Sequence, residues 1–169
     1  MAPPDGKSFV FAGISGERLR YYVQSLQGGA PQPITDADIH YERRSPIVAS
    51  PDGRSVAAVG NDGLVRIYPT APGDLRAPPR PAPGLGPGYT PLQWCQGDSL
   101  VLHQYDQPPP RLWKVDIKTG NLKRWKDLSP PDLVGLLDIT PIRVSQDCQS
   151  YTYSPLNVLS QVYLTTGLR

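Results

Sequence analysis

The residues able to do chemistry in this chain are few and scattered. His40 stands in the segment TDADIHYERRSP beside Asp36 and Asp38, three side chains that a metal could use. Their spacing fits neither the paired ligands of a zinc site nor the alternating oxygens of a calcium loop, so no metal is expected. His103 lies in a strand-like run and reads as a packed or edge residue, remote from any nucleophile, and the chain has no GxSxG elbow. The segment DGKS at 5–8 contains Gly-Lys-Ser but lacks the earlier glycine, the spacer and the following helix of a phosphate loop, and it reads as a turn. GLGPG at 84–88 is interrupted by proline, which suits a polyproline-like loop better than a dinucleotide cradle. No catalytic residue and no cofactor follow. Cys95 and Cys148 stand about 53 positions apart without CxxC spacing and are expected to be free thiols, which leaves the redox compartment open.

Charge names no partner. Lys and Arg number 17 against 15 Asp and Glu, a net charge of +2, too even for the clustered basic face of a nucleic-acid binder. No run approaches the ~18 apolar residues of a membrane span. The start, MAPPDGKSFVFAGI, lacks a basic segment followed by a long apolar one, so neither a span nor a signal peptide is expected in this chain.

The elements that must position any site are strands. The chain holds 21 Pro and 16 Gly, which argues against helices, while its Tyr, Trp, Val, Ile and Leu fall in short runs suited to sheets. The clearest unit is SPDGRSVAAVGNDGLVRIYP at 50–69. Here a turn at Pro51, Asp52 and Gly53 leads to the apolar run Val56 to Val59, then a turn at Asn61, Asp62 and Gly63, then an alternating run ending in Ile67 and Tyr68. The pattern recurs after Pro4-Asp5-Gly6, after WCQGD at 94–98 and, more weakly, after SQDCQ at 145–149, where SYTYSPL and SQVYL follow. The turn residues Asp5, Asp52, Asp98 and Asp147 recur about every 47 positions, and so do the third-strand aromatics Tyr22, Tyr68, Trp113 and Tyr163. Extended pieces at 31–35, 75–79 and 122–126 are expected to be outermost strands, where proline costs little. The fold expected is all-β: a partial β-propeller of about three and a half four-stranded antiparallel blades, one unit over 1–169 with approximate blades 1–35, 36–79, 80–126 and 127–169. A sandwich or barrel is the alternative, and neither needs a constant period.

The turn SPDG at 50–53 and the segment GGAPQPIT at 28–35 resemble the TolB-type (WD-like) propeller repeat, and the stretch from RLWKVDI onward is similar to the propeller that follows the kinase domain in certain bacterial serine/threonine protein kinases. The resemblance implies a non-catalytic, sensor-like module for a protein or small-molecule ligand, with a periplasmic or other extracytoplasmic placement. The kinase motifs themselves have no counterpart here, so kinase activity is not carried over. The alternative is an accessory or gating propeller of a hydrolase such as an oligopeptidase. The chain departs from the repeat at Cys148, where the turn glycine is usual, and at Cys95, where serine is usual. The hairpins bearing them are expected on the same side of neighbouring blades without touching. So few blades do not close a ring, and an open array exposes apolar faces, so a second copy or a missing N-terminal half is expected to complete it.

Loop lengths point to the recognition face. Segments 36–45, 80–90, 106–110 and 127–140 share one face of the expected propeller, and binding groups concentrate on loops held by a rigid scaffold. The candidates are His40, Tyr41, Arg43, Arg44 and Tyr89, with Arg143 on an inner strand. Lys123, Arg124 and Lys126 read as a solvated outer edge.

Overall fold

The structure is a computed structural model that describes residues 6–15, 18–35, 46–71, 73–75, 77–104, 109–160 and 162–163. Among these residues there is no helix, and the strands form four antiparallel sheets in which neighbours in sequence are neighbours in space. Sheet 1 holds β1 (Ser8–Ser15), β2 (Arg18–Ser25) and β3 (Gln32–Pro33). Sheet 2 holds β4 (Val48–Ala49), β5 (Ser55–Val59), β6 (Val65–Pro69) and β7 (Arg80–Pro81). Sheet 3 holds β8 (Tyr89–Trp94), β9 (Ser99–Gln104), β10 (Arg111–Asp116) and β11 (Leu122–Asp127), and sheet 4 holds β12 (Leu136–Val144) and β13 (Tyr151–Asn157). The chain is a partial propeller, its sheets stacked in chain order.

Stacking works because the central strands are apolar on both faces. In β5, Val56 and Ala58 turn toward sheet 1 and join Val10, Tyr21, Val23 and Ile34, while Ala57 turns the other way to meet Trp94, Leu100, Leu102 and Val115 of sheet 3. The same logic places Val101 and Leu112 of sheet 3 against sheet 4, where Ile139, Ile142 and Cys148 receive them. A strand buried on both faces reads as a continuous apolar run, as SVAAV does. Each fully buried Leu or Val contributes about 1.5–3 kcal/mol relative to exposure.

The Ser-x-Asp-Gly turn is a hydrogen-bonded device. The Ser50 hydroxyl accepts the Ser55 N–H at 3.0 Å, Asp52 Oδ1 accepts the Arg54 N–H at 3.0 Å and the Ser50 hydroxyl at 2.6 Å, and the Gly53 N–H donates to the Ser50 carbonyl at 2.9 Å. The Ser50 hydroxyl, and next the Arg54 N–H, hold the Asp52 carboxyl below its ordinary range. Gly53 makes the turn with φ of 68°, a region costly for residues with a Cβ. The same bonds recur at Ser145–Ser150, where the Ser150 N–H reaches the Ser145 hydroxyl at 3.0 Å and Asp147 accepts the Gln149 N–H at 3.0 Å. There Cys148 occupies the glycine position and takes a φ of 53°.

Three expectations are corrected. Cys95 and Cys148 are not free thiols: they form a disulfide with Cα atoms 5.6 Å apart, and both are buried. Their turns join the first two strands of sheets 3 and 4, and the first strands, β8 and β12, touch each other. The inner turns of successive sheets therefore meet instead of splaying apart. The outermost strand of sheet 2 is Arg80–Pro81, not 75–79, because consecutive turns occupy the earlier residues (Asp74 N–H to Ala71 O, Ala77 N–H to Asp74 O) and Leu75 packs inward on the first core. In the last unit, the described residues beyond Asn157 carry no strand, and Tyr163 is 81% exposed.

Candidate functional site

The face formed by the connections β5–β6, β7–β8, β9–β10 and β11–β12 gathers a polar and aromatic set at the strand ends of sheet 3. Tyr89 opens β8, lies opposite Gln104 of β9, and is half-buried. Its ring meets Trp113 of β10 edge-on, with centroids 6.3 Å apart at 88°. Trp113 Nε1–H donates to the Gln104 side-chain oxygen at 3.0 Å, which orients the carboxamide. His103, one residue back on β9, lies between Thr90 and Leu112 in the ladder. Burial lowers its pKa below the usual 6.5, against a smaller upward pull from the Asp138 carboxylate on β12. The imidazole is therefore neutral near pH 7. Asp138 Oδ1 accepts the Ile139 N–H at 2.8 Å.

Strand ends deliver these groups because β8 begins, β9 ends, β10 begins and β12 begins on the same face, a consequence of antiparallel order. Tyr89, Gln104 and Trp113 offer a carboxamide and two aromatic rings on the side of sheet 3 that faces sheet 2, and His103 offers a neutral imidazole at the same strand ends on the side that faces sheet 4. Such groups orient a polar ligand by hydrogen bonds and ring contacts. Among the described residues no three His, Cys, Asp or Glu converge as a metal site would need.

Of the sequence candidates, His40, Tyr41, Arg43 and Arg44 lie outside the described residues, as do Asp36 and Asp38. Tyr89 is in the set, packed rather than free in a loop. Arg143 is exposed on β12 but sits five residues beyond Asp138, about 15 Å along the strand toward the tight-turn side, and its guanidinium donates to the adjacent Ile142 carbonyl at 3.1 Å. The long connections are also shorter than expected, since β8 begins at Tyr89 and β12 at Leu136. Gln104, Trp113 and Asp138 were missed as site residues. The available signal was their position next to the loop-bearing ends of the strands.

A concavity of about 430 Å³ lies on the opposite face, between the β4–β5 turn and the β6–β7 connection. Asp52, Arg54, Asp74 and Arg80 line it, and Arg54 pairs with Asp74 at 3.5 Å, both exposed, so its charges largely balance. On the outer edge of sheet 3, Arg124 pairs with Asp127 and Lys123 and Lys126 face solvent.

No family model matches the chain, and no curated protein does. Solved structures do. TolB from Acinetobacter baumannii is similar over 90% of this chain and 36% of its own, with a TM-score of 0.62 and 19% identity. A putative TolB from Agrobacterium tumefaciens has a TM-score of 0.57 and 23% identity over 75% of this chain and 48% of its own. An oligogalacturonate lyase from Vibrio parahaemolyticus has a TM-score of 0.57 and 18% identity over 89% of this chain and 50% of its own. This chain spans between about a third and a half of the length of these proteins. At these identities the likeness is one of fold, and the fold is that of a TolB-like β-propeller, present here in part.

Proposed function

We propose that the chain is a non-catalytic, sensor-like propeller module that binds a protein segment or small molecule at the loop face of sheet 3, within a ring completed by a second copy or by a missing propeller half. The carrying observation is the cluster of Tyr89, Gln104 and Trp113 at the strand ends of sheet 3, with His103 at the same ends on the side of the sheet that faces sheet 4. Association with a bacterial serine/threonine kinase is the parent context suggested by the RLWKVDI stretch. Loop segment 36–45, with His40, Tyr41, Arg43 and Arg44, adds basic and aromatic groups to the same reading. An extracytoplasmic placement is supported by the buried disulfide, since such bonds persist in oxidising compartments. A similar solved structure, the gluconolactonase of Pseudomonas aeruginosa, is itself described as periplasmic.

The test is a binding screen of short peptides and acidic sugars monitored by backbone amide NMR shifts, with turnover measured in parallel. Hits that shift Tyr89, Gln104 and Trp113, and that weaken at least tenfold in Gln104→Ala, support the reading. Hits that map to the Arg54 and Arg80 concavity, or turnover of an oligogalacturonide or aldonolactone, overturn it.

A further inference from the structure

β9 carries two side chains on the face of sheet 3 that is turned toward sheet 4. Val101 and His103 stand two residues apart and therefore share that face, about 7 Å from each other along the strand. Val101 is wholly buried and packs on Cys95 and Cys148, together with Val144 of β12. His103 is half-buried and lies opposite Leu112, which packs against Ile139 and Ile142 of the same β12. One strand thus covers both residues, with Val144 at the disulfide and Asp138 at the histidine. Among the described residues, the charged groups on this side of the ladder near His103 are Asp138, Lys114 of β10 and, beyond Leu112, Lys126 of β11.

The covalent fastening at the tight-turn end of this seam is made at a strained place. Cys148 holds a φ of 53° where the clearest repeat unit has Gly53 at 68°. A left-handed backbone at a residue with a Cβ persists only where its surroundings impose it, and such residues concentrate at switch regions. Bonds made under strain are also the ones that exchange most readily. The turn is built to move as one piece, because its bonds run between its own residues. The Ser145 hydroxyl accepts the Ser150 N–H at 3.0 Å, and the Cys148 N–H donates to the Ser145 carbonyl at 2.8 Å. Across the seam, the Lys114 ammonium donates to the Cys148 carbonyl at 3.2 Å. Both cysteines are buried, but their turn neighbours Gln96, Gly97, Asp147 and Gln149 are exposed, so a small displacement of either turn uncovers a sulfur.

We propose that the Cys95–Cys148 bond is a redox clasp on the seam between sheets 3 and 4, and that a dithiol reductant releases β12 and opens His103 to water at the loop face. The exchange balances in two steps. One thiolate of the reductant attacks a cysteine sulfur, the Sγ–Sγ bond breaks, and its electron pair leaves on the other cysteine, which takes up a proton. The second thiolate of the reductant then displaces the first cysteine, closing a cyclic disulfide, and that cysteine takes up a proton in turn. Two electrons have passed to the protein. The connection from β11 to β12 keeps sheet 4 attached, so the opening is a hinge movement. The inference stands apart from the ligand reading above, because it concerns solvent at His103 whether or not that face holds a ligand.

Dithiothreitol added to the folded chain tests it, with thiols counted, His103 titrated by NMR and amide hydrogen exchange measured strand by strand. Burial is the larger influence on His103 and Asp138 the smaller, so opening should move its pKa up toward 6.5 in spite of losing the carboxylate. The β12 amides should exchange about tenfold faster or more, while those of β5 and β6 keep their rates. Cys95→Ser/Cys148→Gly should show the raised value without reductant and ignore it when added. Should that variant lose its circular dichroism spectrum, the wild-type comparison decides alone. A bond that survives dithiothreitol in native buffer overturns the clasp. A His103 titration unchanged after two thiols appear overturns the link between the bond and the histidine. Faster exchange in all sheets alike overturns a local opening, since reduction then unfolds the whole chain.

Discussion

Removing the disulfide is the most informative perturbation, because the bond contradicts what the isolated sequence suggests and its energetic weight follows from the chain. Cys95 and Cys148 close a segment with a sequence separation of 53. In the chain-entropy account a loop of that size removes about 4 kcal/mol of freedom from the unfolded state. With a urea dependence of about 2 kcal/mol per molar, reduction should lower the denaturation midpoint by about 2 M. The replacement residue refines the figure. Cys148 holds a φ of 53° at a position where Gly53 serves in sheet 2. A glycine there relieves about 1 kcal/mol of left-handed strain that serine retains. Cys95→Ser/Cys148→Gly should therefore lose about 1 kcal/mol less than Cys95→Ser/Cys148→Ser. The assay is urea unfolding followed by tryptophan fluorescence, oxidised and reduced, with thiols counted in denaturant without reductant. Two free thiols in the purified chain refute the pairing. A midpoint shift under about 0.3 M, against the expected ~2 M, refutes the claim that it fastens sheet 4 to sheet 3.

Other predictions are narrower. Gly84→Ala should destabilise by at least about 2 kcal/mol in the same urea assay, because φ there is +74° and an added Cβ would stand 2.2 Å from the Gly120 carbonyl oxygen; a neutral outcome would mean that the two turns separate readily. His103 should titrate below 6.5 by NMR. Its stabilising contribution as a neutral group is full above the unfolded pKa and falls away as pH drops through the folded one, and titration at or above 6.5 would contradict its burial. Asp52 is likewise held below its ordinary carboxylate value of 3.8, so its contribution is present above that value and lost as pH falls through the lower folded pKa. Ser50→Ala removes the main cause and should both raise the Asp52 pKa and cost about 1 kcal/mol, read by carboxyl NMR and urea unfolding.

The repeat was legible because each of its parts has a local cause. The Ser50-Pro51-Asp52-Gly53 turn closes through bonds among its own residues, and SVAAV needs only apolar neighbours on both sides to become a central strand. Even the strain at Cys148 was readable, since glycine stands at that place in the clearest unit. The outer strand of sheet 2 was less so. Leu75 looks like a strand residue in sequence, yet the first core claims it, and the pairing with β6 begins only at Arg80.

The candidate site divides the same way. Tyr89 could be marked from its place beside a loop, but the partners that define its role, Gln104 and Trp113, come from other strands. Local chemistry determined the turns, the strand order and the all-β architecture, because these depend on residues within a few positions of one another. Tertiary structure alone decided that the Cys95 and Cys148 turns touch, that Asp138 acts on His103 and that Arg143 stands far from Tyr89. Each of those depends on how one sheet is seated on the next, a distance set by the bulk of buried side chains and by no pattern within a single repeat.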